Sequence, residues 1–204
     1  MNVPDFTKEE LKILRALRMP ARIQDYINSI PINFEKKGET CMSPRQVLRE
    51  HKAHCMEGAL LAAAALWVQG EKPLLLDLKT ITSDYSHVVA LFRRQGHWGA
   101  ISKTNHAVLR YREPVYRTIR ELAMSYFHEY FLDNGKKTLR SYSKPLDLST
   151  ARFRGWATRE EDVWHIDTAL ERAPHEPMLK PAMVSGLRAS DSIEIQAGKL
   201  VEWY

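Results

Sequence analysis

The stretch that decides the fold runs Ser43-Pro44-Arg45-Gln46-Val47-Leu48-Arg49-Glu50-His51 and then Cys55-Met56-Glu57-Gly58-Ala59-Leu60-Leu61-Ala62-Ala63-Ala64-Ala65-Leu66-Trp67-Val68-Gln69-Gly70. A serine N-cap, proline at the first helical position and glutamine at the third start a helix that reaches His51. The second piece ends at Gly70, a natural C-cap. Its alanines lie on nearly every face, as in a buried helix lying close against a sheet. Between the two, Lys52-Ala53-His54 holds no strong breaker, so propensity leaves open whether one helix or two are present.

Working outward, Pro73 to Lys79 reads as a strand, Ser83-Asp84 as a turn, and the β-branched run Tyr85 to Arg93 as a second strand. Gln95-Gly96 is a tight turn, from which His97 to Ser102 returns as the third strand of a meander. Pro114 is expected to open a helix with Val115, Ile119, Leu122, Tyr126 and Tyr130 on one face, ending at Asn134-Gly135. Beyond Ser141 the pattern weakens to a helix over Arg159 to Leu170 and short strands near Ile193 and Leu200. Upstream, Thr7 and Glu10 form a capping box for a helix to Leu17, and a second short helix covers Arg22 to Ser29. A loop through Gly38 then leads to Cys41.

The chain has 204 residues, of which 44% are hydrophobic and 27% charged. This is an ordinary globular composition that excludes disordered, collagen-like and fibrous classes. The length fits a core over residues 1–140 with an extension over 141–204 packed on it. The longest apolar run, Ala59 to Val68, is far shorter than the roughly 20 residues of a membrane span. No membrane partner is expected. The N-terminal residues lack a basic region followed by an apolar stretch, so a cytoplasmic location is expected, with Cys41 and Cys55 as free thiols. The net charge of +5 is uneven: Arg93 to Arg140 holds 10 basic and 4 acidic residues (+6), whereas 141–204 holds 8 against 10 (−2).

A cysteine heading a buried helix sits in the positive end of the helix dipole, which favours the nucleophilic thiolate. Cys55 heads the alanine-rich helix, and His87 opens the second strand, where it can stand beside the thiol as general base. The third strand ends in Ser102, Thr104 and Asn105, polar residues able to orient a histidine. Together these form the layout of a thiol triad. The Cys55 backbone N–H would meet the oxyanion, with a side-chain donor from Gln46, His51 or His54. Cys41 lies in an irregular segment with no helix directly behind it and ranks below Cys55.

Residues from about Ser43 to Asn105, a third of the chain, resemble the core of the transglutaminase-like superfamily, which shares the papain-like cysteine peptidase fold. The resemblance rests on Ser43-Pro44-Arg45-Gln46-Val47-Leu48, His54-Cys55-Met56-Glu57, Ser86-His87-Val88-Val89 and Gly96-His97-Trp98 in that order. It implies a helix break before Cys55 and an α+β fold, with the cysteine-bearing helix packed on a short antiparallel sheet and flanking helices around it. It also implies Cys55 as nucleophile and His87 as its partner; Trp98, as core or cleft wall, and Gln46 and His54, by proximity to the cysteine, are the candidate substrate contacts. Two positions depart from the family pattern. The aspartate expected four residues after the hairpin tryptophan is Ser102, and the glycine expected two residues before the cysteine is Ala53. Asn105 is the alternative orienting group. The family includes peptidases, transamidases and members that have lost catalysis.

Three readings therefore stand. In the first, the protein is a thiol enzyme acting on a peptide or amide substrate; a positive rim from 93–140 beside the site would favour acidic ones. In the second it is a catalytically weakened binding module whose arginines, interleaved with Tyr111, Tyr116 and Tyr126, meet an anionic partner such as nucleic acid. In the third, His51, His54, Cys55 and His87 hold zinc, although the paired Cys-x-x-Cys spacing of a structural site is missing. No metal and no cofactor is expected under the first reading.

Overall fold

The computed structural model describes residues 5–204. Four helices come first: α1 (Lys8–Ala16), α2 (Pro20–Ser29), α3 (Pro44–Glu50) and α4 (Cys55–Val68). Seven strands follow: β1 (Leu74–Thr80), β2 (His87–Arg94), β3 (His97–Ile101), β4 (Arg112–Tyr116), β5 (Leu139–Ser143), β6 (Leu146–Asp147) and β7 (His175–Pro177). Among them lie α5 (Ile119–Met124) and α6 (Trp164–Glu171), and after them α7 (Pro181–Val184) and α8 (Ser192–Gly198). The sheet runs β4-β3-β2-β1-β5-β7, with β6 also on β1, and every pairing is antiparallel. The fold is α+β.

The chain breaks before Cys55 because tertiary pairing takes over from helix propensity. His51 ends α3 in the left-handed conformation, φ 51°. Ala53 then pairs with the chain at Pro31 and Asn33 through Ala53 N–H to Pro31 O (3.0 Å) and Asn33 N–H to Ala53 O (3.1 Å). The backbone is extended at His54, and α4 restarts at Cys55. From Met56 to Leu66 every residue of α4 is buried, against β1 and β2 on one side and α1, α2 and α3 on the others. The small alanines let the sheet approach closely. At Gly58 the approach is closest, since a Cβ there would lie 2.4 Å from Lys103 Cβ. This contact sets the end of β3 against the first turn of α4.

The β1–β2–β3 meander forms as the sequence indicates, with Gln95 (φ 49°) and Gly96 (φ 81°) in the two-residue turn that suits twisted hairpins. Pro114 does not open a helix. It lies in β4, an edge strand, where a missing N–H costs no ladder bond. Val115 is correspondingly exposed, and the helix starts only at Ile119, where Thr118 accepts the Glu121 N–H. The helix also ends early, at Met124 and not at Asn134-Gly135, and a separate 3₁₀ turn over Phe127–Glu129 follows. Leu122, Tyr126 and Tyr130 are all buried, but of the three only Leu122 lies on the helix.

The helix expected over Arg159 to Leu170 starts late, at Trp164, because residues 159–163 are tied to the loop before α3. Ser43 Oγ donates to Arg159 O (2.6 Å), and Val163 N–H donates to Cys41 O (2.8 Å). Ile193 lies in α8 and not in a strand, since Asp191 and Glu194 form a capping box that starts a helix. Near Leu200 the chain makes only a single bridge, between Val201 and His106. Residues 141–204 supply β6, β7 and three of the five residues of β5, so they belong in part to the sheet. No helix among the described residues is long and apolar enough to cross a membrane.

Candidate active site

Cys55, at the first position of α4, is partly exposed and opens on a cavity of about 390 Å³. His54, His87, Lys103 and Tyr130 also line it. Burial alone would push the Cys55 thiol up, but the imidazoles of His54 and His87 beside it outweigh that and bring it down to about 5. The N-terminus of α4 adds its dipole in the same direction. Cys41 is the opposite case. It is buried, its thiol is pushed up by loss of water and by the carboxylates of Asp167, Glu57 and Asp162, and it has no nucleophilic character.

His87 is held from one side. Its Nε2 lies 2.7 Å from Ser102 Oγ, and Ser102 Oγ donates its one proton to Leu109 O at 2.5 Å. The Ser102 hydroxyl therefore accepts from His87, which places the His87 proton on Nε2 and leaves Nδ1 for the thiol. Ser102 is fixed in turn by Gln24 of α2, which accepts its N–H (2.9 Å) and donates to its carbonyl (2.7 Å). Leu109 is held in the left-handed region (φ 61°) by Glu129, which accepts its N–H at 2.6 Å and pairs with Arg112. The position where the resemblance implies an aspartate thus holds a neutral hydroxyl whose polarity a carbonyl dictates.

Asn105 plays a different part. Its amide clasps Trp203, donating to Trp203 O (2.9 Å) and accepting Trp203 N–H (2.8 Å), and does not reach His87. It lines the cavity and anchors the C-terminal segment, so that Ile195, Gly198 and Lys199 form part of the cavity wall. Gln46 turns inward to close the α3 capping box, accepting Ser43 N–H at 2.7 Å, and His51 is an exposed C-cap. Trp98 lies in the meander under Arg93 (5.3 Å) and opposite Tyr116. None of these three lines the cavity. Of the candidate substrate contacts, His54 does.

Three neighbours of the site had no obvious sequence signal of function. Glu57 is fully buried (0% exposed) one turn into α4. Its spacing from His54 is that of a capping box, the one cue that could have drawn attention to it. Lys103 is buried with its ammonium on the carbonyls of Ile27 and Ile30 at the end of α2, and loss of water lowers it to about 8. Gln24 sits mid-helix with nothing to mark it.

The basic stretch does not form a rim around the cavity. Of its lysines and arginines only Lys103 lines it, whereas Arg94, Arg110 and Arg112 are paired with Glu71, Glu202 and Glu129. The cavity's own acids are engaged too, Asp133 with Lys199 (3.2 Å) and Asp84 with the Thr138 hydroxyl (2.5 Å). Among the described residues, no three His, Cys, Asp or Glu side chains converge as a metal site.

No protein-family model and no curated protein matches the chain. The reading of the site rests on its geometry.

Ser102→Ala removes one neutral hydrogen bond to His87, worth about 0.5–1.5 kcal/mol. Turnover of an activated ester should fall roughly 2- to 13-fold, with the fold intact by circular dichroism. A rate equal to wild type would show that Ser102 does not orient the base.

Proposed function

We propose that the protein is a thiol-dependent acyl-transfer enzyme with a papain-like, transglutaminase-like arrangement of Cys55, His87 and Ser102. The observation that carries this reading is the meeting of Cys55, at the head of a buried helix, with a histidine whose tautomer is dictated by Ser102 and Leu109. The Cys55 thiolate attacks an amide or thioester carbonyl, and the carbonyl electron pair moves onto oxygen. Collapse expels the amine or thiol, which takes the proton that the imidazole beside the thiolate had received from Cys55, and leaves an acyl-Cys55 thioester. Water or an amine then attacks, His87 Nδ1 takes its proton, and the Cys55 thiolate departs. The Cys55 N–H at the start of α4 faces the oxyanion. Because the charged groups lining the cavity are already engaged by neighbours, Lys103 by carbonyls, Asp84 by a hydroxyl, Asp133 by Lys199 and Glu129 by Arg112, the acyl group it suits is uncharged, part of a peptide, amide or thioester substrate.

Alkylation by iodoacetamide across pH tests this, with the labelled cysteine identified by peptide mass. The thiolate is the reactive form, so the rate should rise with pH through a midpoint near 5 and be flat above it. Cys41 should stay unlabelled until the protein unfolds. A Cys55 midpoint at the value of an unassisted thiol, about 8.5, would overturn the proposal.

A further inference from the structure

Two imidazoles flank one thiol, and their surroundings differ. His87 Nε2 is bonded to a neutral group, the Ser102 hydroxyl, which is held in turn by the Leu109 carbonyl, and the Asp77 carboxylate of neighbouring β1 that feels His87 is bonded instead to His175 (3.0 Å). Behind His54 stands a carboxylate: its Nε2 lies 3.4 Å from Glu57 Oε1 and 3.9 Å from Glu35 Oε1. Nε2 also contacts Thr40 O at 2.9 Å, and a carbonyl can only accept, so Nε2 carries a proton. That leaves Nδ1, at the head of α4, as the ring nitrogen without a proton in the neutral ring, and the ring is hydrogen-bonded to Cys55.

Glu57 is held as an anion by a set of donors: Asn33 Nδ2 (3.1 Å), Thr40 Oγ1 (2.7 Å), Met42 N–H (3.1 Å) and His54 N–H (2.9 Å). Four donors and no exposure describe a charge that needs a buried counter-charge, and His54 is the cation that pairs with it.

We infer that His54, held by Glu57, takes the proton of Cys55 and keeps the thiolate, while His87 serves as the base toward the acyl acceptor. The proton passes from Sγ to His54 Nδ1, giving an imidazolium between two anions, the thiolate and Glu57. The inference rests on the acyl-transfer reading above and divides its work between two histidines. The titratable groups around the thiol are His54, Glu57 and Glu35 on one side, His87 of β2, Asp77 of β1, Asp84 before β2, Lys103 after β3, Tyr130 before β5, and Asp167 of α6. Of these, the His54–Glu57 pair places a fixed cation beside Sγ. The raising of His54 agrees: burial pulls it down, but Cys55 and Glu57 outweigh that and lift it to about 11.

The pH profile of Cys55 alkylation in His54→Ala, His54→Gln, Glu57→Gln and His87→Ala separates the two histidines. Loss of His54 should move the midpoint from near 5 toward the 8.5 of an unassisted thiol, Glu57→Gln should move it part of the way, and His87→Ala should move it less than the His54 variants do while abolishing ester turnover. His54→Gln keeps a donor for Thr40 O without the charge, so it serves if the alanine variant fails to fold. A midpoint raised by His87→Ala as far as by the His54 variants would overturn the inference and leave the acyl-transfer reading standing. A wild-type midpoint near 8.5 would overturn both.

Discussion

Cys55→Ala is expected to abolish turnover of a thioester or activated ester, by about 10⁴- to 10⁶-fold, the loss seen when a nucleophile is removed from a triad whose members act as a unit. The residual rate would come from binding and the α4 N-terminus alone. Because Cys55 is partly exposed and small, the variant should fold with an unchanged circular dichroism spectrum. Cys41→Ala is the matched control: that thiol is buried in the core with its backbone carbonyl bonded to Val163, so the variant should keep its turnover per folded molecule. Equal turnover in Cys55→Ala and wild type would remove Cys55 from the chemistry.

Glu57→Ala should produce the largest loss of stability of any single polar substitution in the site. The carboxylate joins the Asn33–Met42 loop to the head of α4 through Asn33, Thr40 and Met42, and it balances the charge of His54. Alanine leaves these donors without an acceptor and the imidazolium without a partner, a loss of about 3–5 kcal/mol for breaking a buried pair. For a chain of this size that lowers Tm by roughly 6–20 °C. Glu57→Gln, which keeps an acceptor oxygen, should lose less. A Tm for Glu57→Ala within about 2 °C of wild type would show that the buried carboxylate is not a structural anchor.

The local parts of the site were legible because they depend on neighbours in sequence. Ser43-Pro44-Arg45-Gln46 starts a helix by its own capping chemistry, and the β-branched run ending in Gln95-Gly96 makes a hairpin by its own turn. Pro114 misleads because a proline that opens a helix and one that sits on an edge strand look alike until the sheet shows which strand is outermost. Asp191 and Glu194 carried a readable capping box that the apolar Ile193 and Leu200 obscured.

By itself, then, the sequence determined the start of α3, the buried alanine-rich helix and the hairpin after His87, since capping, turn geometry and hydrophobic period act over a few residues. The break before Cys55 came instead from the pairing of Ala53 with Pro31 and Asn33. Only the tertiary structure decided that Ser102 and not Asn105 reaches His87, that Glu57 stands behind His54, and that Arg94, Arg110 and Arg112 turn to carboxylates away from the cavity. Those outcomes depend on hydrogen-bond partners such as Gln24 and Ser102, 78 residues apart, or Asn105 and Trp203, 98 apart. A polar side chain has the same local pattern whether it faces water, a backbone carbonyl or an imidazole. Its role is set when the fold removes water and leaves it one partner.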